Sequence, residues 1–359
     1  MVDFGDPSDP RLTADHTISV YVSGLLQWHG KSDQDAWNQF LTGEIPSYTP
    51  ILLHHPDGTP LADAAGEEEA WDVTIEDFSQ GSSEAAQTPV LFGRVMLPPP
   101  GQSHAHFDQD NINRRTYGFQ LKNQKWIRNL EPLNELFPPT GWLGHNYGHQ
   151  FITAKNGDLW MFYERVSEVL NDAPLKTEIF ARRFTPPAIL KGPEIQIFRI
   201  PSTPFPAVVR TNGNLLAESP RPFSVRLRHR SYYFVSFSSS DWGSDHYGIN
   251  LLWSDAIDGP YQPILNSDGH DLKDFGSKIR TEHALTYGPG RGSFFQDAKG
   301  HWWVIFHAAT LEARRNVQAA PNSWFEELIL HNFFVAPVRI RLKHGIPDLE
   351  ILERDSVSQ

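Results

Sequence analysis

The sequence contains no cysteine among its 359 residues. Disulfide bonds, thiolate metal sites and a cysteine nucleophile are therefore all excluded. A chain without cysteine is compatible with an oxidising or a reducing compartment, so this absence does not assign a location.

Long apolar runs and basic clusters are also missing. No stretch approaches the roughly eighteen apolar residues of a membrane span, and the start, MVDFGDPSDPRL, lacks the features of a signal peptide. The sequence predicts a soluble protein, cytoplasmic as written and secreted if a leader was removed. The net charge of −12 argues against nucleic acid or an anionic membrane as a partner. The oligomeric state is not defined.

The sequence is rich in aromatic residues, at 12%, and contains 28 prolines and 26 glycines. Its apolar stretches are short, aromatic or β-branched, and most end at Gly, Pro, Asn or Asp. Helical spacing of three and four residues is scarce. This pattern predicts a mostly-β protein.

Four stretches share one form, a turn followed by an aromatic or β-branched strand. Their strands align at Val20, Trp160, Tyr233 and Trp303, about seventy residues apart or twice that. The longest interval, from Val20 to Trp160, has room for one more unit, and the run VLFGRVML from Val90 supplies it. Repeats of this length suit four-stranded blades, so we predict one five-bladed β-propeller domain. The predicted blades span roughly residues 9–65, 66–140, 141–200, 201–270 and 271–350.

A more specific pattern lies in the fourth predicted blade. The turn ESPRPF is followed by a Tyr-Tyr strand and then by SDAIDGPY, which resembles the fourth blade of family 43 glycoside hydrolases. The residues that match in order are Glu218, Pro220, Phe223, Tyr232, Tyr233, Ser254, Asp255, Gly259, Pro260 and Tyr261. GPGRGSFF from residue 288 resembles the family's fifth blade, and DPRL from residue 9 its first.

The resemblance implies an inverting glycosidase that removes a terminal arabinofuranosyl, xylosyl or galactosyl-type unit from an oligo- or polysaccharide. Such an enzyme needs two carboxyl groups about 6.5–9.5 Å apart, one to protonate the leaving oxygen and one to activate water. Glu218 matches the family's general acid, and its apolar neighbours favour a neutral carboxyl. Asp9 matches the general base, with Asp6 as a rival in the same Asp-Pro form.

One departure concerns the family's third acid, which tunes the proton donor and begins the third blade. Gly148 or His149 occupies the corresponding place here. Three interpretations stay open: a modified subsite, an acid from the second blade, or a carbohydrate-binding propeller that has lost catalysis. The residues concerned are His145, Asn146 and His149 for the subsite, and Asp72 and Asp77 for the acid.

A second departure is Arg291, which stands where the family has a histidine near a metal ion. A guanidinium suits a carboxylate or sulfate better than a cation, so we expect no cofactor and no metal, and do not favour a central calcium ion. Arg221, beside Glu218, is a second candidate for contact with an acidic or substituted sugar. Candidates for stacking on sugar rings are Trp142, Tyr147, Trp242 and Tyr247, with packing between blades as the alternative.

Overall fold

In the computed structural model of this chain, every regular element among the described residues is a β-strand, which confirms the all-β prediction. The described residues are 19–22, 26–29, 49–50, 53–59, 70–76, 90–97, 113–123, 125–128, 146–168, 176–185, 189–199, 216–239, 247–265, 275, 278–280, 285–296, 300–310 and 331–352. Their strands form five sheets, the blades of a five-bladed β-propeller. Within these ranges, no helix has the length and apolar character needed to cross a membrane.

The first two sheets come from the N-terminal part of the chain. The first sheet contains β1 (Ser19–Val22), β2 (Leu26–His29) and β3 (Thr49–Pro50) in that order. The second has the order β4-β8-β7-β6-β5 and contains β4 (Leu53–His54), β5 (Ala70–Glu76), β6 (Val90–Leu97), β7 (Asn113–Lys122) and β8 (Lys125–Arg128). In this second sheet, β4 pairs with β8 in parallel and the other pairs are antiparallel.

The remaining three sheets follow in chain order and are antiparallel throughout. The third contains β9 (Asn146–Thr153), β10 (Leu159–Glu168), β11 (Lys176–Thr185) and β12 (Ile189–Arg199). The fourth contains β13 (Ala217–Leu227), β14 (Arg230–Ser239), β15 (Gly248–Ser254) and β16 (Gln262–Pro263). The fifth contains β17 (Lys278–Arg280), β18 (Leu285–Gln296), β19 (Trp302–Thr310), β20 (His331–Lys343) and β21 (Ile346–Ile351).

The inner strands of the second to fifth sheets adjoin one another, and the region where they meet is called the hub. β5, β9 and β13 are edge strands of their sheets, and β5 contacts β9, which contacts β13. β13 in turn contacts β18, which also packs against β14 and β15. Residues far apart in sequence therefore meet where these inner strands adjoin.

Two apolar cores join the later sheets. Phe162 and Phe237 belong to a core between the third and fourth sheets, and Phe223 and Phe306 to a core between the fourth and fifth. Because a strand between two packed layers is buried on both faces, it reads as a continuous apolar run. In β10, Trp160 and Phe162 enter the first of these cores, while Met161 and Tyr163 enter a separate cluster on the opposite face.

The four aligned residues of the repeat fall on strands of four different sheets. Val20 lies on β1, Trp160 on β10, Tyr233 on β14 and Trp303 on β19. Val90, the first residue of the weaker unit, begins β6 in the remaining sheet. The repeat therefore marks one strand in each sheet, whereas the predicted blade boundaries stay a prediction.

Candidate active site

Glu218 lies near the start of β13, the innermost strand of the fourth sheet, and is half-buried. It pairs with Ser238 of β14, and the pairing register shifts between Glu218 and Arg221. Ser219 within this bulge has a φ of 53°, in the left-handed region. Proline removes a backbone donor and is tolerated at edge strands and bulges, which accounts for Pro220 here. The bulge reorients the backbone directly after Glu218.

The strand that carries Glu218 is fixed to the third sheet by Thr177. The Thr177 hydroxyl accepts a hydrogen bond from Ala217 N at 2.7 Å and donates one to Ala217 O at 3.1 Å. Both residues are fully buried. The residue before Glu218 is thus anchored through both of its backbone groups.

The neighbouring strand β14 is fixed to the fifth sheet by two buried serines. Ser236 Oγ donates to Gly292 O at 2.5 Å, and Ser238 Oγ accepts from Arg291 N at 2.7 Å. Because Ser238 also stands opposite Glu218, this hydrogen bond fixes the position of Arg291 relative to the Glu218 strand.

A second carboxylate lies against the bulge. Glu164 of β10 has only 4% of its surface exposed, and its Oε2 accepts a hydrogen bond from the backbone N–H of Ser219. Strand alternation gives Glu164 the same direction as Trp160 and Phe162, toward the fourth sheet. A buried glutamate is rare without a partner, and here the partner is the amide next to Glu218.

The absence of a side chain at Gly148 leaves room for the Glu164 carboxylate. It has a φ of 64°, and a Cβ atom there would lie 3.2 Å from Pro220 Cδ, 3.2 Å from Ser219 Cα and 3.4 Å from Glu164 Oε2. A side chain on Gly148 would therefore press on the bulge and on the Glu164 carboxylate. Gly148 is one of the two positions where the resemblance places an acid. The space beside it is occupied by the carboxylate of Glu164, which comes from β10.

Tyr247, which directly precedes β15, has 2% of its surface exposed and packs with its ring centroid 5.8 Å from that of His307. Burial and the charges of Glu218 and Glu164 raise the pKa of Tyr247, while Arg291 and a hydrogen bond with Ser238 act in the opposite direction. Tyr247 is therefore a neutral hydroxyl close to two carboxyl groups and a guanidinium. Its burial favours packing over sugar stacking.

Arg291 lies in a distorted part of β18. Its φ is 50°, and the pairing with β19 shifts register between Tyr287 and Gly290 and again between Gly290 and Ser293. A non-glycine residue in the left-handed region costs free energy, and such residues are enriched at functional sites. The half-buried Arg291 side chain lies close enough to act electrostatically on Tyr247.

Of the other predicted site residues, some lie within the described ranges and the rest lie outside them. His149 is 4% exposed, with its ring centroid 6.2 Å from that of Tyr163, and Arg221 is also 4% exposed. Asn146 begins β9, and Asp72 lies in β5. The predicted site residues that lie outside the described ranges are Asp6, Asp9, Asp77, Trp142, His145 and Trp242.

Glu164 is the site residue that sequence reasoning missed. Glu164 interrupts the apolar run WMFY at the position that shares a face with Trp160 and Phe162. A carboxyl in phase with core side chains is the signal that points to it, because an acid buried without function is costly. Tyr247, by contrast, was named from the sequence, and its burial favours the packing alternative over sugar stacking.

Known structures share this fold over nearly the whole chain. A thermostable family-43 glycoside hydrolase matches at 13% identity and a TM-score of 0.56, covering 98% of this chain and 93% of that one. An alpha-L-arabinofuranosidase from Lactobacillus brevis matches at 13% identity and a TM-score of 0.58, covering 92% and 88%. A xylan beta-1,4-xylosidase from Bacillus halodurans C-125 matches at 12% identity and a TM-score of 0.55, covering 98% of this chain and 55% of that one.

Sequence comparison adds nothing to this likeness, because no family model and no curated protein matches the chain. The fold is thus that of the family 43 glycoside hydrolases, and the resemblance noted in the sequence is confirmed at the level of fold. Fold alone does not fix function, so the activity must be argued from the site.

Proposed function

We propose that the protein is an inverting glycoside hydrolase that removes a terminal arabinofuranosyl, xylosyl or galactosyl-type unit from an oligo- or polysaccharide. The observation that carries this proposal is the half-buried Glu218 on the inner strand β13, which Thr177 anchors to the third sheet. The next residue, Ser219, donates its N–H to the buried carboxylate of Glu164. A partly desolvated carboxyl that still reaches the hub suits a proton donor.

In the proposed reaction, Glu218 gives its proton to the glycosidic oxygen as the bond from that oxygen to the anomeric carbon breaks. A water molecule attacks the anomeric carbon from the opposite face and passes a proton to Asp9. The sugar leaves with inverted configuration. The assignment of Asp9 rests on the sequence motif, with Asp6 as its rival.

The charge at the hub supports a reaction without a central cation. Arg291 brings a guanidinium to the position where the family has a histidine beside a metal ion, and its positive charge does not fit a calcium site. We propose that the half-buried Arg291 instead contacts the substrate, whereas Arg221, at 4% exposure, could do so only from within the hub. Glycosides that carry a carboxylate or sulfate therefore belong among the compounds to be tested.

The alternative is a propeller that binds sugar without cleaving it. Its sequence support is the lack of an acid at Gly148 and His149. Glu164 weakens that support, because it supplies a buried carboxylate at the same bulge from another strand. We therefore favour the hydrolase.

The proposal is tested by release of nitrophenol from 4-nitrophenyl glycosides of arabinose, xylose, galactose and fucose and from their acidic analogues. We expect turnover of at least one, and a fall of at least about tenfold in Glu218→Gln, with Glu350→Gln as a surface control. NMR of the first product anomer reports inversion. Sugar affinity without release from any glycoside would support the binding alternative, and equal rates in Glu218→Gln would discard that acid.

A further inference from the structure

We propose that Glu164 is the positioning residue of Glu218: it holds the backbone that follows Glu218 and keeps the Glu218 carboxyl protonated. This inference rests on the proposed function, because it assigns Glu218 the work of a proton donor. Glu164 belongs to the third sheet and Glu218 to the fourth, so the link crosses from one blade to the next.

The first step is the contact itself. Glu164 Oε2 accepts the backbone N–H of Ser219, the residue directly after Glu218. Both Glu164 and Ser219 are buried, at 4% and 3% exposure. A carboxylate that accepts a backbone N–H is favoured in its ionised form, so Glu164 carries a negative charge here.

The second step is the backbone that this contact holds. Ser219 has a φ of 53°, and serine does not favour this region without support from its surroundings. The hydrogen bond from Ser219 N–H to Glu164 supplies that support. Because Cα of Glu218 is one peptide unit away, the same bond sets the direction of the Glu218 side chain.

The third step is electrostatic. A carboxylate near a second carboxyl disfavours ionisation of that carboxyl, and the effect is larger where water is excluded. Both Glu164 and Glu218 raise the pKa of Tyr247 when they are ionised, so the two carboxyl groups share one environment. Among the described residues, the charged and titratable groups on the strands around this environment include His149 on β9, Tyr163 and Arg165 on β10, Arg221 on β13, Tyr247 before β15, Arg291 on β18 and His307 on β19.

The guanidinium groups in that set favour ionised Glu218, whereas Glu164 opposes them. Removing the charge of Glu164 therefore leaves the cations dominant, and Glu218 loses its proton at a lower pH. The negative charge of Glu164 can lie here because Gly148 has no side chain. A Cβ at residue 148 would lie 3.4 Å from Glu164 Oε2.

The decisive variant is Glu164→Gln, which keeps the size and an acceptor for Ser219 N–H but removes the charge. A general acid works while protonated, so its loss of the proton defines the basic limb of the profile of kcat/KM against pH. We expect this limb to move to lower pH by about one unit or more in Glu164→Gln. Glu178→Gln is the matched control, because Glu178 is equally buried in the same sheet but pairs with Arg199 at 3.0 Å, and its profile should not move.

A second variant separates position from charge. Glu164→Asp keeps the negative charge on a shorter side chain that reaches Ser219 N–H less well. We expect kcat to fall by about tenfold or more while the basic limb stays where it is. An unchanged kcat together with an unmoved limb in both variants would overturn the inference, and the activity of the parent protein would stand.

A readout without turnover separates this inference from the proposed function. Carboxyl carbon NMR of glutamate-labelled protein follows the titration of Glu218, assigned by its loss in Glu218→Gln. We expect the midpoint of that titration to fall in Glu164→Gln and not in Glu178→Gln. If the protein cleaves no glycoside and the midpoint still falls, the proposed function fails and the coupling stands. An unmoved midpoint overturns the inference.

Discussion

The ring of Tyr247 rests directly on the backbone of Gly290: a Cβ atom on Gly290 would lie 1.8 Å from Tyr247 Cε1. Gly290 belongs to the fifth sheet, and Tyr247 precedes the third strand of the fourth. This contact presses the two blades together beside Glu218, at the end of the fourth sheet where Ser238 binds Arg291 N. The lack of a side chain at residue 290 therefore determines where the Tyr247 hydroxyl lies.

Gly290→Ala should be strongly destabilising, because the added methyl group occupies the space of the Tyr247 ring. Overpacking of this kind costs about 1–3 kcal/mol, and we expect the upper part of that range together with a loss of activity. Denaturant unfolding measures the cost. Gly58→Ala is the control, since Gly58 has a φ of 85° and nothing within 4 Å of a new Cβ, so it should lose only about 1 kcal/mol from backbone strain. A smaller loss for Gly290→Ala than for Gly58→Ala would contradict the contact.

Thr177→Val removes the hydroxyl that pairs with both backbone groups of Ala217. The substitution preserves the shape but leaves a buried donor and acceptor unsatisfied, at a cost of about 1–3 kcal/mol. Because Ala217 precedes Glu218, kcat should fall as well. Thr177→Ser, which retains the hydroxyl, is the control and should preserve kcat. Equal stability and kcat in Thr177→Val and the parent protein would show that this link does not position the strand.

Alkaline titration tests the buried tyrosines. Burial is the main cause that raises the pKa of Tyr163, Tyr247 and Tyr261 in the folded protein. Below the ordinary tyrosine pKa of about 10, these three hydroxyls are protonated in both the folded and the unfolded protein, so the free energy of unfolding has its full value. Above it the unfolded state releases protons that the folded state retains, so the free energy of unfolding falls as pH rises.

Absorbance at 295 nm, compared with circular dichroism at each pH, should show that these three phenols ionise only as the protein unfolds. Tyr261→Phe should reduce the dependence of stability on alkaline pH. Ionisation of all ten tyrosines in the folded protein would contradict the burial of these side chains.

The two candidate bases can be separated by substitution. Asp9→Ala should lower kcat by about 10²-fold or more, since activation of water is lost, whereas Asp6→Ala should leave kcat within a few-fold. Hydrolysis of the best 4-nitrophenyl glycoside gives both values. The reverse pattern would assign the base to Asp6, and loss in neither variant would place it elsewhere.

Much of the fold could be predicted from spacing alone. Val20, Trp160, Tyr233 and Trp303 mark strands in four sheets, because each blade repeats the same turn and buried strand. These features are local, and the sequence displays them directly. The pattern ESPRPF was interpreted as a turn, whereas it lies within the inner strand β13, whose bulge between Glu218 and Arg221 accommodates Pro220.

The relation between Glu164 and Ser219 was beyond sequence reasoning, because it joins residues 55 positions apart across two blades. The resemblance directed attention to Gly148 and His149 on β9, where the family has its third acid. A left-handed glycine against a bulge is visible only once the inner strands are placed together. Contacts between blades depend on packing angles that no repeat spacing encodes.

The central claim is that Glu218 donates the proton to the leaving group, and the most direct test compares leaving groups of different basicity. In Glu218→Gln, glycosides with an alkyl or sugar leaving group, which must be protonated, should slow by about 10²–10⁴-fold. Dinitrophenyl glycosides, whose leaving group departs as an anion, should retain rates within about tenfold. Equal slowing for both classes, or slowing for neither, would contradict the role of Glu218.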